Sequence, residues 1–291
     1  MKKSISVLFA VILTASLISW QWDKTQHAKV DKAEVIECLN VETLQAYKLE
    51  ASQPAFAALH PAPLVVNPEN LLGKMTSFEA ADGKEAHAYF IPAKKKTNKW
   101  LIVIQEWWGL NDHIKLESDK YYTALGNVNV IALDMYDGKI AATPDSAMKL
   151  MRGADMGRMT AIIQGAIKHA GPDAGIYSVG WCFGGMWSLQ TAILAGPQAK
   201  GTVMYYGRPE TDMVKLKSIK CDIIGFFGNQ DQSPSPTMVN EFEKNMKEAG
   251  KNLSVNRYEA NHGFANPSNP SFNPTATADA FAKSIAFLKA H

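Results

Sequence analysis

The chain has 291 residues, of which 46% are hydrophobic and 20% are charged, so it can bury one large core and does not by length alone require two domains. The formal net charge of +2 falls to 0 if Lys2 and Lys3 are removed with a leader (2 − 2 = 0). This balance gives no electrostatic reason to expect nucleic acid or an anionic membrane surface as a partner.

Residues 1–20 begin with a basic pair and continue with an apolar run that is short for a membrane span. This pattern predicts a secretory signal and export, with the bacterial periplasm as the expected compartment. Small residues at 14–16 offer a cleavage site, but the apolar run continues to Trp20. Secretion from the cell and an uncleaved N-terminal anchor therefore stay open as alternatives, and contact with a membrane is expected only for the anchor.

Three cysteines, Cys38, Cys182 and Cys221, cannot all pair within one chain. At least one thiol is therefore left free or cross-links two chains, and we expect Cys182 to be the free one. Cys38 and Cys221 form a disulfide only if the fold brings them into bonding geometry. Otherwise Cys221 is an ordinary buried thiol just before an apolar strand.

We interpret residues 21–75 as an N-terminal extension packed on a catalytic domain at 76–291. The extension has a polar, helix-compatible stretch and then a Pro-rich connector. In the domain, near-continuous apolar runs alternate with segments of helical spacing, which predicts an α/β fold with a mainly parallel sheet and helices on both faces. The apolar runs are 100–108, 128–136, 174–182, 201–207 and 222–231, and the helical segments are 113–127, 147–170, 184–196, 237–250 and a last helix from Asn273-Pro274.

The most specific local pattern is Gly-Trp-Cys-Phe-Gly-Gly at 180–185, between a predicted strand and a predicted helix. Its glycines suit the tight turn of a nucleophile elbow, which would expose Cys182 at the head of the helix. A helix N-terminus favours the thiolate over the thiol, and the backbone N–H of Phe183 would bind a developing oxyanion there. Considered alone, Cys182 also fits a small buried hydrophobe beside a glycine-rich turn.

A thiol nucleophile needs a base and a carboxylate that orients the base. Asp231 follows one apolar strand and His262 follows the next predicted strand, in the order that this architecture requires. Singly, Asp231 fits a turn former and His262 a surface histidine. Together with Cys182 they predict a Cys-His-Asp triad.

Glu106 follows the residues WLIVIQ at 100–105, at a point where the elbow should be open to substrate. In an apolar pocket the pKa of Glu106 would be raised, and its carboxyl could exchange a proton with the Cys182 thiol. The backbone N–H of Trp107 would supply a second oxyanion donor. The alternative makes Glu106 a rim residue paired with a surface base.

These motifs resemble the dienelactone hydrolase family from about residue 75 to the C-terminus. The resemblance rests on 105–109, 133–136, 180–185, 205–207, 228–231 and 261–265. It implies the α/β-hydrolase fold and a carboxylic ester hydrolase that cleaves a small ester or enol-lactone through an acyl-cysteine intermediate, without metal or organic cofactor. Cys182 would attack the ester, and Glu106 would help to generate its thiolate. His262 would carry protons, and Asp231 would orient His262.

The sequence departs from the family where dienelactone-cleaving members carry arginines for the substrate carboxylate. The corresponding regions, 264–267 and 142–145, contain none. Arg152 and Arg208 could substitute, or they are surface groups. Trp107, Trp108, Phe183 and Tyr206 suggest a more apolar pocket, although each of these four also fits plain core packing.

Two further functions stay open from the sequence. One is an envelope thiol protein that binds a ligand or senses oxidants through Cys182 without hydrolysis. The other is a broad-specificity carboxylesterase or a related acyl hydrolase. The sequence specifies neither the oligomeric state nor the role of residues 21–75.

Overall fold

The computed structural model describes residues 41–58, 60–62, 64 and 68–291. Contacts divide the chain into residues 1–39 and 40–291, and the second group forms one compact unit. The predicted signal at 1–20, residues 21–40 of the predicted extension and Cys38 lie outside the described residues. In the described part of the chain, no helix is both long enough and apolar enough to cross a membrane.

Eight strands form one sheet in the order β1-β2-β4-β3-β5-β6-β7-β8. Strands β3 to β8 run parallel, whereas β2 is antiparallel to both β1 and β4. The prediction of a mainly parallel sheet is therefore confirmed. The strands are β1 Lys74–Glu79, β2 Glu85–Ile91, β3 Lys99–Ile104, β4 Asn129–Leu133, β5 Gly175–Trp181, β6 Ala199–Tyr205, β7 Asp222–Gly228 and β8 Leu253–Tyr258.

Helices surround this sheet, and each connection between successive parallel strands contains at least one helix. Parallel strands in one sheet need such crossover connections. The helix predicted from Asn273-Pro274 is present, and Asn273 caps it by accepting the N–H of Ala276. The helices are α1 Val41–Glu50, α2 Pro54–Ala58, α3 Asp112–Leu125, α4 Pro144–Gly153, α5 Met156–Ala170, α6 Phe183–Ala195, α7 Met213–Ser218, α8 Pro236–Glu248 and α9 Pro274–Ala290.

The segment predicted as one helix over 147–170 is two helices, α4 and α5. The break lies at Ala154, whose backbone is extended (φ −62°, ψ 128°), and at Asp155. The Asp155 side chain accepts the N–H groups of Gly157 and Arg158, so it caps α5 instead of continuing α4. Helical spacing on both sides of the break hides this cap in the sequence.

Cys221 lies just before β7, where its sulfur is 3.8 Å from the hydroxyl oxygen of Thr202. Burial raises the pKa of the Cys221 thiol to about 11. Because Cys38 lies outside the described residues, the Cys38–Cys221 disulfide stays a prediction.

Candidate active site

Cys182 lies at the sharp turn between β5 and α6. Its backbone has φ 55° and ψ −116°, a conformation that is strained for a residue with a side chain. A Cβ on Gly180 would approach the carbonyl oxygen of Gly184 to 2.1 Å, and one on Gly184 would approach that of Ile104 to 2.2 Å. Only glycine fits at these two positions, so the sequence Gly180 to Gly184 forms the predicted elbow.

Helix α6 begins at Phe183, directly after Cys182. The first N–H groups of a helix have no partner within the helix, and they form the positive end of the helix dipole. The N–H of Phe183 is one of these groups, and it is adjacent to the sulfur-bearing residue. Trp107 follows β3 in a tight turn, in which the N–H of Gly109 donates to the carbonyl of Glu106 at 3.3 Å.

Asp231 and His262 meet as the sequence predicts, after β7 and β8. Nδ1 of His262 lies 2.8 Å from Oδ2 of Asp231, and both side chains are buried. Nε2 of His262 is buried and has no hydrogen-bond partner among the described residues. Burial alone would lower the pKa of His262, but the negative charge and hydrogen bond of Asp231, together with the nearby Cys182 sulfur, outweigh it and hold that pKa well above its usual value.

Glu106 is buried, and Nδ2 of Asn266 donates to its Oε2 at 2.7 Å. Burial raises the pKa of Glu106 to about 7, although nearby His262 and the Asn266 hydrogen bond oppose this rise. The predicted rise is therefore confirmed in direction. The alternative of a rim residue paired with a surface base is wrong, because the carboxyl is buried against a neutral amide.

Tyr206 follows β6 with φ 34°, and its ring lies 4.9 Å from that of His262 between centroids. Its hydroxyl is buried and has no hydrogen-bond partner among the described residues. Trp108 packs on Trp107, with ring centroids 4.9 Å apart, and both are buried. Tyr206 thus lies beside His262, and Trp107 and Trp108 pack on each other, whereas the aromatic substrate pocket stays a prediction.

The model of the dienelactone hydrolase family matches residues 86–291. This chain belongs to that family. The prediction of a dienelactone hydrolase-like ester hydrolase with the α/β-hydrolase fold is thereby confirmed at the level of the family and the fold.

Two curated relatives and one solved structure illustrate this membership. The chain is 28% identical to Protein usf of Aquifex pyrophilus over 236 residues, which covers 75% of this chain and 98% of the relative. It is 30% identical to the carboxymethylenebutenolidase of a Pseudomonas species over 118 residues, or 40% of this chain and 48% of that protein. A dienelactone hydrolase-like promiscuous phosphotriesterase from metagenomic libraries superposes with a TM-score of 0.62 at 20% identity, covering 74% of this chain and 97% of the other.

Residues 41–58 and 60–62, which precede the part matched by the family model, cover Cys182; we call them the covering segment. The hydroxyl of Tyr47 lies 3.3 Å from Sγ of Cys182, and Nε2 of His60 lies 3.8 Å from the same sulfur. Phe56 stacks on His60, with ring centroids 4.0 Å apart, and packs edge-on against Trp107. As a result, Cys182 is only 2% exposed, and the expected exposure of the nucleophile is wrong for this closed arrangement.

Polar contacts hold the covering segment on the rest of the fold. Arg208 forms a salt bridge with Glu50, and Nη2 of Arg152 donates to the carbonyl of Ser52 at 2.8 Å. Both arginines, which the sequence offered as substrate-carboxylate ligands, are thus engaged by the covering segment. Further contacts run from Lys48 to the carbonyl of Ala154 and from Thr43 to Glu210.

His60 differs electrostatically from His262. Burial and the nearby positive charge of His262 lower the pKa of His60 to about 3, so its imidazole is neutral. Its Nδ1 lies 2.7 Å from the carbonyl of Phe56. Among the described residues, His60, Cys182 and His262 have donor atoms close enough together to hold a metal ion.

Tyr47, His60 and Asn266 are the residues of this site that the sequence does not reveal. Tyr47 reads as one position of a polar helix, and His60 as part of a Pro-rich connector. Asn266 lies in the segment 264–267, which lacks the arginine of dienelactone-cleaving members, and no local sequence pattern indicates its contact with Glu106. No motif spacing predicts contacts that form only when distant parts of the chain pack together.

Proposed function

We propose that this protein hydrolyses a small ester or enol-lactone through a thioester formed on Cys182. The observation that carries the proposal is the placement of the Cys182 elbow at the head of α6, beside the buried Asp231–His262 pair. Because Nδ1 of His262 is held by Asp231, the imidazole presents Nε2 as the acceptor for a proton. This is the division of roles that a triad with a thiol nucleophile needs.

In the first step, Sγ of Cys182 attacks the acyl carbon while its proton passes to Nε2 of His262. The ester C–O bond breaks, and the enol or alcohol leaves with that proton. In the second step, water attacks the thioester and gives a proton to His262, which returns it to the sulfur as the acid is released. The N–H groups of Phe183 and Trp107 bind the oxyanion in both steps.

Glu106 assists the first step in this scheme. With a pKa of about 7, its carboxyl can accept or release a proton near neutral pH. A buried carboxylate close to the reacting pair can therefore help to form the thiolate when a substrate excludes water from the site. An enol leaving group suits this chemistry because it departs more readily than the thiolate is expelled.

The decisive measurement is hydrolysis of p-nitrophenyl acetate by the full chain and by Cys182→Ala. We expect the variant to lose turnover and to form no acyl adduct in an intact-mass spectrum. Cys221→Ala is the matched control, since Cys221 is a half-buried thiol before β7, and it should keep both. Turnover in Cys182→Ala equal to that of the parent would refute the assigned nucleophile.

We further propose that the preferred substrate lacks a free carboxylate. Arg152 and Arg208 bind the covering segment, and Asn266 donates to Glu106 in the segment 264–267, which contains no arginine. The test is a panel of lactones and aryl esters in pairs that differ only by a free carboxylate. A preference for the acid would contradict this choice and would point back to Arg152 or Arg208 as its ligand.

The basic, apolar N-terminus supports export, and we propose a periplasmic location. N-terminal sequencing of the mature protein tests this proposal. A chain that begins at Met1 and fractionates with membranes would support the N-terminal anchor instead.

A further inference from the structure

Three donor atoms converge at Cys182, and they come from both the covering segment and the family domain. One ring nitrogen of His60, Sγ of Cys182 and one ring nitrogen of His262 all lie within 4.8 Å of one another, and the three side chains are buried. The two imidazole rings have centroids 4.7 Å apart and are inclined by 62°. The rings therefore face the sulfur from different directions.

In both imidazoles, Nδ1 already has a hydrogen-bond partner. Nδ1 of His60 lies 2.7 Å from the carbonyl oxygen of Phe56, and Nδ1 of His262 lies 2.8 Å from the carboxylate of Asp231. Because a carbonyl and a carboxylate only accept hydrogen bonds, each Nδ1 carries a proton, and in the neutral form of each ring the lone pair of Nε2 points inward. Metal-binding histidines characteristically have this second contact, which fixes the tautomer and orients the ring.

The Nε2 atoms of His60 and His262 have almost no hydrogen-bond partners. Nε2 of His262 is buried and makes no hydrogen bond to any described residue, and the Cys182 sulfur is the contact of the His60 Nε2. An unpaired buried acceptor is unfavourable, and a cation at the centre of the three atoms would satisfy it.

We propose that His60, Cys182 and His262 form a binding site for Zn²⁺. One thiolate and two imidazoles are a favourable donor set for zinc, and Zn–S and Zn–N bonds of about 2.3 and 2.0–2.1 Å place tetrahedral ligand atoms roughly 3.3–3.6 Å apart. The 3.8 Å between His60 and Cys182 is already close to that separation. On binding, the proton carried by the Cys182 thiol or by the His262 imidazolium is released to solvent, and the fourth position takes a water or an anion.

Bound zinc would act as an inhibitor and not as a cofactor, and this consequence rests on the proposed function. The ion would occupy the lone pairs of the nucleophile and of its base. It would also join the covering segment to the domain through His60, so the closed arrangement would be held by metal–ligand bonds. The part of the chain matched by the family model contains Cys182 and His262, and the covering segment contains His60, so the full ligand set needs both.

The first test is direct binding. The metal-free full chain is titrated with Zn²⁺ in competition with a chromophoric chelator, and we expect one ion per chain. His60→Ala should weaken binding by roughly 100-fold or more, because one of three ligands is lost. His60→Gln, which keeps a side chain of similar size, guards against misfolding of the alanine variant. His113→Ala removes another buried histidine, outside the cluster, and should bind zinc like the parent.

The second test uses Co²⁺ as a spectroscopic substitute. A cobalt–thiolate charge-transfer band should appear in the parent and be absent in Cys182→Ser. Equal zinc affinity in the parent and both His60 variants, or no binding below about 1 mM, would overturn the site. Hydrolysis assays separate the two proposals. Zinc binding that depends on His60 without any esterase activity contradicts only the proposed function. Esterase activity whose zinc inhibition does not require His60 contradicts only the metal site.

Discussion

The phenol oxygen of Tyr47 lies 3.3 Å from the sulfur of Cys182, although 135 positions of the chain separate the two residues. This contact buries the proposed nucleophile beneath a helix that the family model does not match. Tyr47 and His60 together leave the sulfur without an open approach. Substrate must therefore reach Cys182 by displacing the covering segment or by loosening its hold on the domain.

Glu50→Gln should increase access to Cys182. The variant breaks the salt bridge with Arg208, a pair whose side chains are only 28% and 24% exposed, and the loss should be about 1 kcal/mol. A loss of that size raises the fraction of open molecules by roughly fivefold. The measurement is the rate of Cys182 alkylation by iodoacetamide, followed by intact mass. Glu243→Gln is the control, because it breaks the Arg257 pair between α8 and β8. Equal rates in the two variants would show that the Glu50–Arg208 pair does not limit access.

Glu106→Gln should stabilise the fold at pH 8 and have little effect at pH 4. Burial raises the pKa of Glu106 to about 7, so the folded state binds this proton more tightly than the unfolded state does. The stability contributed by the protonated carboxyl is full below the unfolded value and is lost as pH rises through about 7. The loss at pH 8 is on the order of 3 kcal/mol at most.

Urea unfolding of the metal-free protein at the two pH values measures this effect. Glu259→Gln is the matched control for Glu106→Gln, because the carboxylate of Glu259 also accepts a hydrogen bond from an asparagine, Asn229, but at the surface. The control should change little at either pH. A Glu106→Gln variant that is destabilised equally at pH 4 and pH 8 would mean that Glu106 is not buried as a neutral acid.

Asp231→Asn should lower kcat for ester hydrolysis by about 10³–10⁴-fold, as loss of the orienting carboxylate does in comparable triads. The amide can no longer hold the His262 tautomer that leaves Nε2 as an acceptor. Steady-state kinetics on p-nitrophenyl acetate measures the loss. Asp222→Asn provides the comparison, because Asp222 contacts another histidine, His291, at 3.0 Å on the surface. A similar loss in both variants would deny Asp231 a specific role.

Gly184→Ala should destabilise the protein by about 1–3 kcal/mol or more, because its methyl group would overlap the carbonyl oxygens of Ile104 and Gln105. Chemical denaturation of the variant measures this change. Gly153→Ala, at the end of α4, has no atom near the added methyl group and should be neutral or slightly stabilising. If Gly184→Ala were as stable as the parent, β3 would not approach α6 as closely as described.

The sequence predicts where Glu106, Cys182 and Asp231 lie in the fold, because their positions depend on local patterns. Strands buried on both faces appear as apolar runs, and their carboxyl ends lie at one edge of the sheet. Glu106, Cys182 and Asp231 each follow such a run, and the glycines around Cys182 follow from the tightness of one turn. The burial of Glu106 could likewise be inferred from its place at the end of β3.

Contacts between distant parts of the chain could not be predicted in this way. Strands β1 and β2 extend the sheet by antiparallel pairing. Their short, partly polar sequences do not predict this pairing. The partners of Arg152 and Arg208 depend on where α1 and the connector after it dock. The same docking brings Tyr47 and His60 to Cys182. No spacing of residues in the sequence predicts these two contacts.

The salt bridge between Glu50 and Arg208 joins a residue outside the part matched by the family model to one inside it. The residues that cover Cys182 therefore lie in a different stretch of the sequence from the proposed triad. A chain without residues 41–62 would keep Cys182, Asp231 and His262 and would lose Tyr47 and His60, the two side chains of that stretch that lie against the sulfur.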